Sequence, residues 1–122
     1  MAETDIYSWS NDEAADWFHL FWKNNDFSLV VETILNFNLD DEEFDSFRAA
    51  VHVLCCFGSA YAFPVRYIEQ RKVLILKSIE ILNNMVNPQS EKWNFLENWD
   101  YDERVIKDIK RQIEYLNFIL SQ

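Results

Sequence analysis

Apolar residues recur at helical spacing through most of the chain. Ala14, Trp17, Phe18, Phe21 and Trp22 fall at i, i+3, i+4, i+7 and i+8, one face of an amphipathic helix running to Asn24-Asn25. Ser10-Asn11-Asp12-Glu13 precedes them and reads as a capping box, Ser10 on the backbone donors and Glu13 reaching back. A shorter helix is predicted from Asp26, with Phe27, Val30, Val31, Ile34 and Leu35 inward. Asn38-Leu39-Asp40 interrupts the pattern. Asp40 is then expected to cap a longer helix whose first turn is Asp41-Glu42-Glu43, acids that complement the positive end of the helix dipole.

Phe44 to Ala62 is apolar on most sides, the pattern of a central helix packed by several neighbours, and Gly58, Ser59, Ala60 and Ala62 suit close approach. Phe63-Pro64 marks a bend. Val65 to Val86 reads as another long helix with Ile68, Ile75, Ile79, Leu82 and Val86 in its stripe. Ser90 is placed to cap a short helix through Trp93, Leu96 and Trp99. The last helix starts at Asp100 or Asp102 and carries Val105, Ile109, Ile113, Leu116 and Leu120. That seam is too short for a stable free coiled coil, so it should pack on the chain's own core. One Gly and two Pro in 122 residues leave little material for the turns of an all-β protein. The expectation is an all-α single domain, residues 1–122, of five or six helices around a central apolar one. Its core should draw on Trp17, Phe21, Val51, Leu54, Ile75, Ile79, Ile109 and Ile113.

Charge adds an asymmetry that folding does not require. Residues 1–63 hold twelve acids against two bases, a net of −10, whereas residues 64–122 hold nine of each. An acidic field attracts cationic surfaces and repels nucleic acid and anionic membranes. The densest run is Asp40, Asp41, Glu42, Glu43 and Asp45, five acids where one or two would cap a helix. This run is expected at an exposed helix start, with Asp12 and Asp16 adding to the same field. Tyr7 and Trp9 precede the first helix, and an exposed aromatic beside acids has the composition of an interface anchor. The bases of the second half, among them Arg66, Arg71, Lys72, Lys107, Lys110 and Arg111, alternate with acids and read as solvated helix faces, not as a nucleic-acid site.

Motifs for catalysis are missing. A single Gly excludes a P-loop or dinucleotide fingerprint, and there is no Gly-x-Ser-x-Gly elbow and no His-Glu-x-x-His pair. Asp16 and His19 have the i, i+3 spacing of a di-iron bundle ligand pair, but the residue three before His52 is Ala49, so the second copy is missing. His52, Cys55 and Cys56 share one helical face and could converge on a metal or form a thiol nucleophile. The simpler expectation is core packing, since free Cys is among the most buried residues and only Arg48 is near enough to lower a thiol pKa. The acidic run lacks the spacing and central Gly of an EF-hand. No catalytic residue, metal or cofactor is therefore expected. Glu3 and Asp5 stand where a secretory leader would be basic, no apolar run is long enough to span a membrane, and adjacent cysteines are no disulfide framework. These features point to a reducing, cytoplasmic setting.

Asn11-Asp12-Glu13-Ala14-Ala15-Asp16-Trp17 resembles the opening signature, Asn-Asp-x-Ala-x-Asp-Trp, of a family of small bacterial proteins known only as a domain of unknown function. Ser90-Glu91, Trp99 and the amphipathic stretch from Tyr101 to Leu120 look similar to that family's later region. The family's Trp-Gly-Thr-Gly lead is replaced here by Ile6-Tyr7-Ser8-Trp9-Ser10. The resemblance implies an all-helical bacterial domain and no reaction. The functional expectation is a non-enzymatic module presenting an acidic face to a basic protein partner, in its concrete form an immunity-type inhibitor of a basic toxin. The alternatives are a small-ligand binder or enzyme with a pocket among the helices lined by aromatics and His52, and a self-associating structural subunit.

Overall fold

The computed structural model describes residues 6–24 and 26–122. Glu3 and Asp5, which carry part of the argument against a secretory leader, lie outside the described residues, as does Asn25. Six α-helices and no strand occur among the described residues: α1 (Asp12–Asn24), α2 (Ser28–Leu35), α3 (Phe44–Phe57), α4 (Arg71–Val86), α5 (Phe95–Asn98) and α6 (Glu103–Leu120). Two 3₁₀ turns, Leu39–Asp41 and Val65–Gln70, lead into α3 and α4. The all-α expectation therefore holds. No helix among the described residues is long and apolar enough to cross a membrane.

The central helix is α3. It packs against α1, α2 and α6, while α4 packs against α2, α5 and α6. Phe44, Phe47, Ala49, Ala50, Val51, Val53 and Leu54 are buried along it, and the buried apolar side chains of all six helices join one cluster. Of the expected core, Trp17, Val51, Leu54, Ile75 and Ile109 are buried, whereas Phe21, Ile79 and Ile113 are half-buried at its margin.

Local chemistry moves several boundaries. Asn11, not Ser10, caps α1: its Oδ1 accepts from the Ala14 backbone N–H at 2.8 Å. Glu13 does not reach back to its own helix. Its carboxylate accepts from the backbone N–H of Ser46, so α1 supplies the N-terminal cap of α3. Asp40 is not the cap of α3 either. Asn38 caps the 3₁₀ turn through the Asp40 N–H, Glu42 then takes a left-handed conformation at φ 52°, and α3 begins only at Phe44. The helix stops at Phe57, well short of Ala62. At Gly58 the chain passes so close to α6 that an added Cβ would lie 2.5 Å from Ile119 Cδ1. Ala60 and Ala62 are exposed and mediate no close packing.

Arg71 locks this corner. Its Nε donates to the Gly58 carbonyl at 2.6 Å and its Nη2 to the Ile119 carbonyl at 2.7 Å, placing one cation at the C-terminal ends of α3 and α6. Lys77 does the same for α2 through the Leu35 carbonyl at 2.6 Å. The expected long helix from Val65 splits into a 3₁₀ turn and α4, and Ile68 is left exposed. Ser90 caps nothing: α5 starts at Phe95 with no side-chain cap and ends in a Schellman motif, Asp100 N–H to Glu97 and Tyr101 N–H to Leu96. Asp102 does cap α6, through the Arg104 N–H.

Candidate functional site

Asp40, Asp41, Glu42 and Glu43 are exposed just before α3, as expected, but the run does not form one face. The left-handed turn at Glu42 sends its members in three directions. Asp41 and Glu43 line a groove of about 360 Å³ with Asp16 and Glu13 of α1 and Glu32 of α2. Asp40 and Glu42 turn to the segment before α5, where Asp40 pairs loosely with Lys92 at 3.5 Å and Glu42 accepts from Asn94 Nδ2 at 2.9 Å. Asp45 points inward to Arg48. Asp12 is exposed on α1 but does not line the groove.

The groove is therefore assembled from α1, α2, the first 3₁₀ turn and the residue before α3. Its five carboxylates surround an apolar floor of Trp17, Leu20, Leu29 and Phe37, and no lysine or arginine lines it. Trp17 is fixed by its Nε1 bond to Thr33 Oγ1 at 2.9 Å, and Thr33 Oγ1 in turn donates to the Leu29 carbonyl. Among the described residues no three His, Cys, Asp or Glu side chains converge closely enough to hold a metal ion.

Glu13 sits at the buried end of this groove. Burial pushes its pKa up, the bonds to Ser46 hold it down, and the negative charges of Asp45 and Glu43 push it up again. Asp45 is also raised, by burial first, against the opposing pull of Arg48. Both groups hold a proton more tightly folded than unfolded. The folded state should therefore gain stability as pH falls through their raised folded-state pKa values, a gain complete below the ordinary carboxylate range. Urea midpoints measured from neutral pH downward should show a rise in the wild type that is smaller in Glu13→Gln, which keeps an oxygen for Ser46. Identical pH profiles would contradict this.

Tyr7 and Trp9 are not part of the groove. They stack on each other with ring centroids 4.7 Å apart, and Trp9 also meets His52 at 5.1 Å and the Arg111 guanidinium at 5.3 Å. What holds them is a buried ion network that the sequence reading missed. Arg48 is completely buried, donating to Asp45 and Asp108 at 2.9 Å each and to the Ile6 carbonyl at 2.5 Å. Its guanidinium lies over Phe95 and Trp99. Asp108, also buried, accepts from the Ser8 N–H at 3.2 Å and from Arg111 at 2.6 Å. The residues before α1 are thereby tied to α3 and α6.

His52 is half-buried, and burial lowers its pKa, favouring the neutral ring. Its Nε2 lies 3.9 Å from Cys56 Sγ. Both cysteines are free; burial pushes the Cys55 thiol up to about 12 and raises Cys56 as well. Neither thiol is held as a thiolate at neutral pH. Cys56 is exposed, so the expectation that both cysteines are core residues is met only in part.

No protein-family model matches this chain, and no curated protein or solved structure does so either.

Proposed function

We propose that the chain is a non-enzymatic protein-binding module that receives a lysine or arginine side chain of a basic partner in the acidic groove. The observation that carries this reading is the union of five carboxylates from four segments over an apolar floor, with no basic residue among them. The aliphatic stem of a long cationic side chain would cover Leu20, Leu29 and Trp17 while its head meets Asp16, Glu32, Asp41 or Glu43. Such a partner would also offset the negative charges of Asp45 and Glu43, which add to burial in raising the Glu13 pKa. An immunity-type inhibitor of a basic toxin in a bacterial cytoplasm is the concrete form of this reading. Electrostatic steering would bring the toxin in, and the groove would retain one of its cationic side chains.

An oligolysine peptide titrated into the isotope-labelled chain tests the site. It should shift the Trp17 indole N–H and the amides of Leu20 and Leu29 at low salt, and an oligoglutamate peptide should not. The triple change Asp16→Asn, Asp41→Asn and Glu43→Gln should weaken this response about tenfold or more, the scale of charge steering and pairing at an exposed acidic site. Folding should be preserved, because these three side chains are exposed and Glu43, at the N-cap position of α3, makes no side-chain capping bond. Shifts of equal size at Asp40 and Glu42, or none in the groove, would contradict the assignment.

A further inference from the structure

A second cleft, independent of the acidic groove, lies between the residues before α1 and the facing sides of α3 and α6. It has a volume of about 320 Å³ and is lined by Ser8, Trp9, His52, Arg111, Gln112 and Tyr115, with the two cysteines beside them. That volume suits a compound of one or two rings. Three of its walls are aromatic: Trp9 is held by Tyr7 and Arg111, His52 by Trp9 and Phe18, and Tyr115 meets Phe118.

The polar groups of the cleft are incompletely used. Ser8 and Gln112 are both more than nine-tenths buried, yet Ser8 Oγ and Gln112 Oε1 have no hydrogen-bond partner. Buried polar atoms are ordinarily paired, so these two oxygens, closed to solvent as the side chains stand, leave hydrogen-bonding capacity in the cleft wall that a turn of either side chain would present to a donor. Arg111 has a guanidinium with five N–H donors and spends one on Asp108, while more than half of its side chain stays exposed. Arg104, paired with Asp102, and Lys107, at i−7 and i−4 on α6, line an adjoining hollow with Arg111 and Asp108. An otherwise strongly acidic chain thus offers an aromatic-walled recess with a half-used guanidinium at its edge.

We propose that this cleft binds a small planar aromatic carboxylate bearing a ring hydroxyl or N–H, its carboxylate on Arg111, its ring against Trp9 and Tyr115, and its donor toward Gln112 Oε1 or Ser8 Oγ. Arg is suited to a carboxylate because its fork presents paired donors in one plane. The carboxylate takes up the unused donors of Arg111, and the ring donor takes up one of the orphaned oxygens. No chemical step is required: the nearby thiols stay protonated, and the site is one of binding.

The probes are 4-hydroxybenzoate and its neutral counterpart 4-hydroxybenzamide, titrated into the isotope-labelled full chain. The carboxylate should produce saturable shifts at the Trp9 indole N–H and the Gln112 side-chain amide, and should bind about tenfold more tightly than the amide, the scale of one charge-assisted pair. Arg111→Gln should reduce carboxylate binding to the level of the amide. Because Arg111 also touches Asp108, its thermal midpoint must be compared with the wild type. Tyr115→Ala, at an exposed ring outside the ion network, should weaken both probes while keeping the preference for the carboxylate. No saturable shift in the cleft, equal affinity for the two probes, or an undiminished carboxylate preference in Arg111→Gln would overturn the proposal.

Discussion

Arg48→Met should destabilise the fold by about 3–5 kcal/mol, the cost of removing one partner from a buried ion pair. Methionine keeps most of the apolar stem but none of the donors. Asp108, 1% exposed at its side chain, would lose the Arg48 bond and keep only Arg111 and the Ser8 N–H. Asp45 would lose its cation, and the Ile6 carbonyl its donor. The loss comes from stranded carboxylates, so their removal should reverse much of it. The combination Arg48→Met with Asp108→Leu and Asp45→Asn is expected to be clearly more stable than Arg48→Met alone. Urea unfolding of the three proteins decides this. A cost below about 1 kcal/mol for the single change would show that Arg48 is dispensable to the buried network.

Leu54→Ala is expected to cost about 2–5 kcal/mol, the range for deleting a buried leucine side chain and leaving part of its volume empty. Leu54 is fully buried on the central helix, one turn before Gly58, where α3 and α6 come into direct contact. With that crossing already tight, the helices have little freedom to close over the void. A loss under half a kilocalorie, roughly the effect of an ordinary surface change, would contradict the placement of α3 at the centre.

The helices were legible because burial is periodic: Trp17, Val51, Ile75 and Ile109 lie where spacing predicts. Caps were less legible, since Ser10 and Asn11 are both good capping residues and only the turn made by residues 7–10 favours Asn11. The acidic run was visible as charge, but its division was not. Whether Asp41 and Glu43 face a different way from Asp40 and Glu42 depends on the left-handed backbone at Glu42, a conformation that side-chain type does not announce. Glu13 and Glu32 joined the site unforeseen because the groove exists only once α1 and α2 dock on α3. Arg48 was the largest omission. From the sequence it was weighed only as a neighbour of the two thiols, although Asp45 at i−3 was a local sign of pairing. Its main partner, Asp108, lies 60 residues away, and that separation carries no sequence signal.

The most direct test of the acidic groove as the proposed binding site is the association rate of a basic protein recovered on the wild-type chain, measured by stopped flow across an ionic-strength series. The wild-type rate should fall as salt rises, because screening shortens the reach of the field. The triple variant Asp16→Asn, Asp41→Asn and Glu43→Gln should associate about tenfold more slowly at low salt and approach the wild type at high salt. Asp40→Asn with Glu42→Gln, which face away from the groove, should have the smaller effect. Equal rates for wild type and triple variant, with no dependence on salt, would contradict the account.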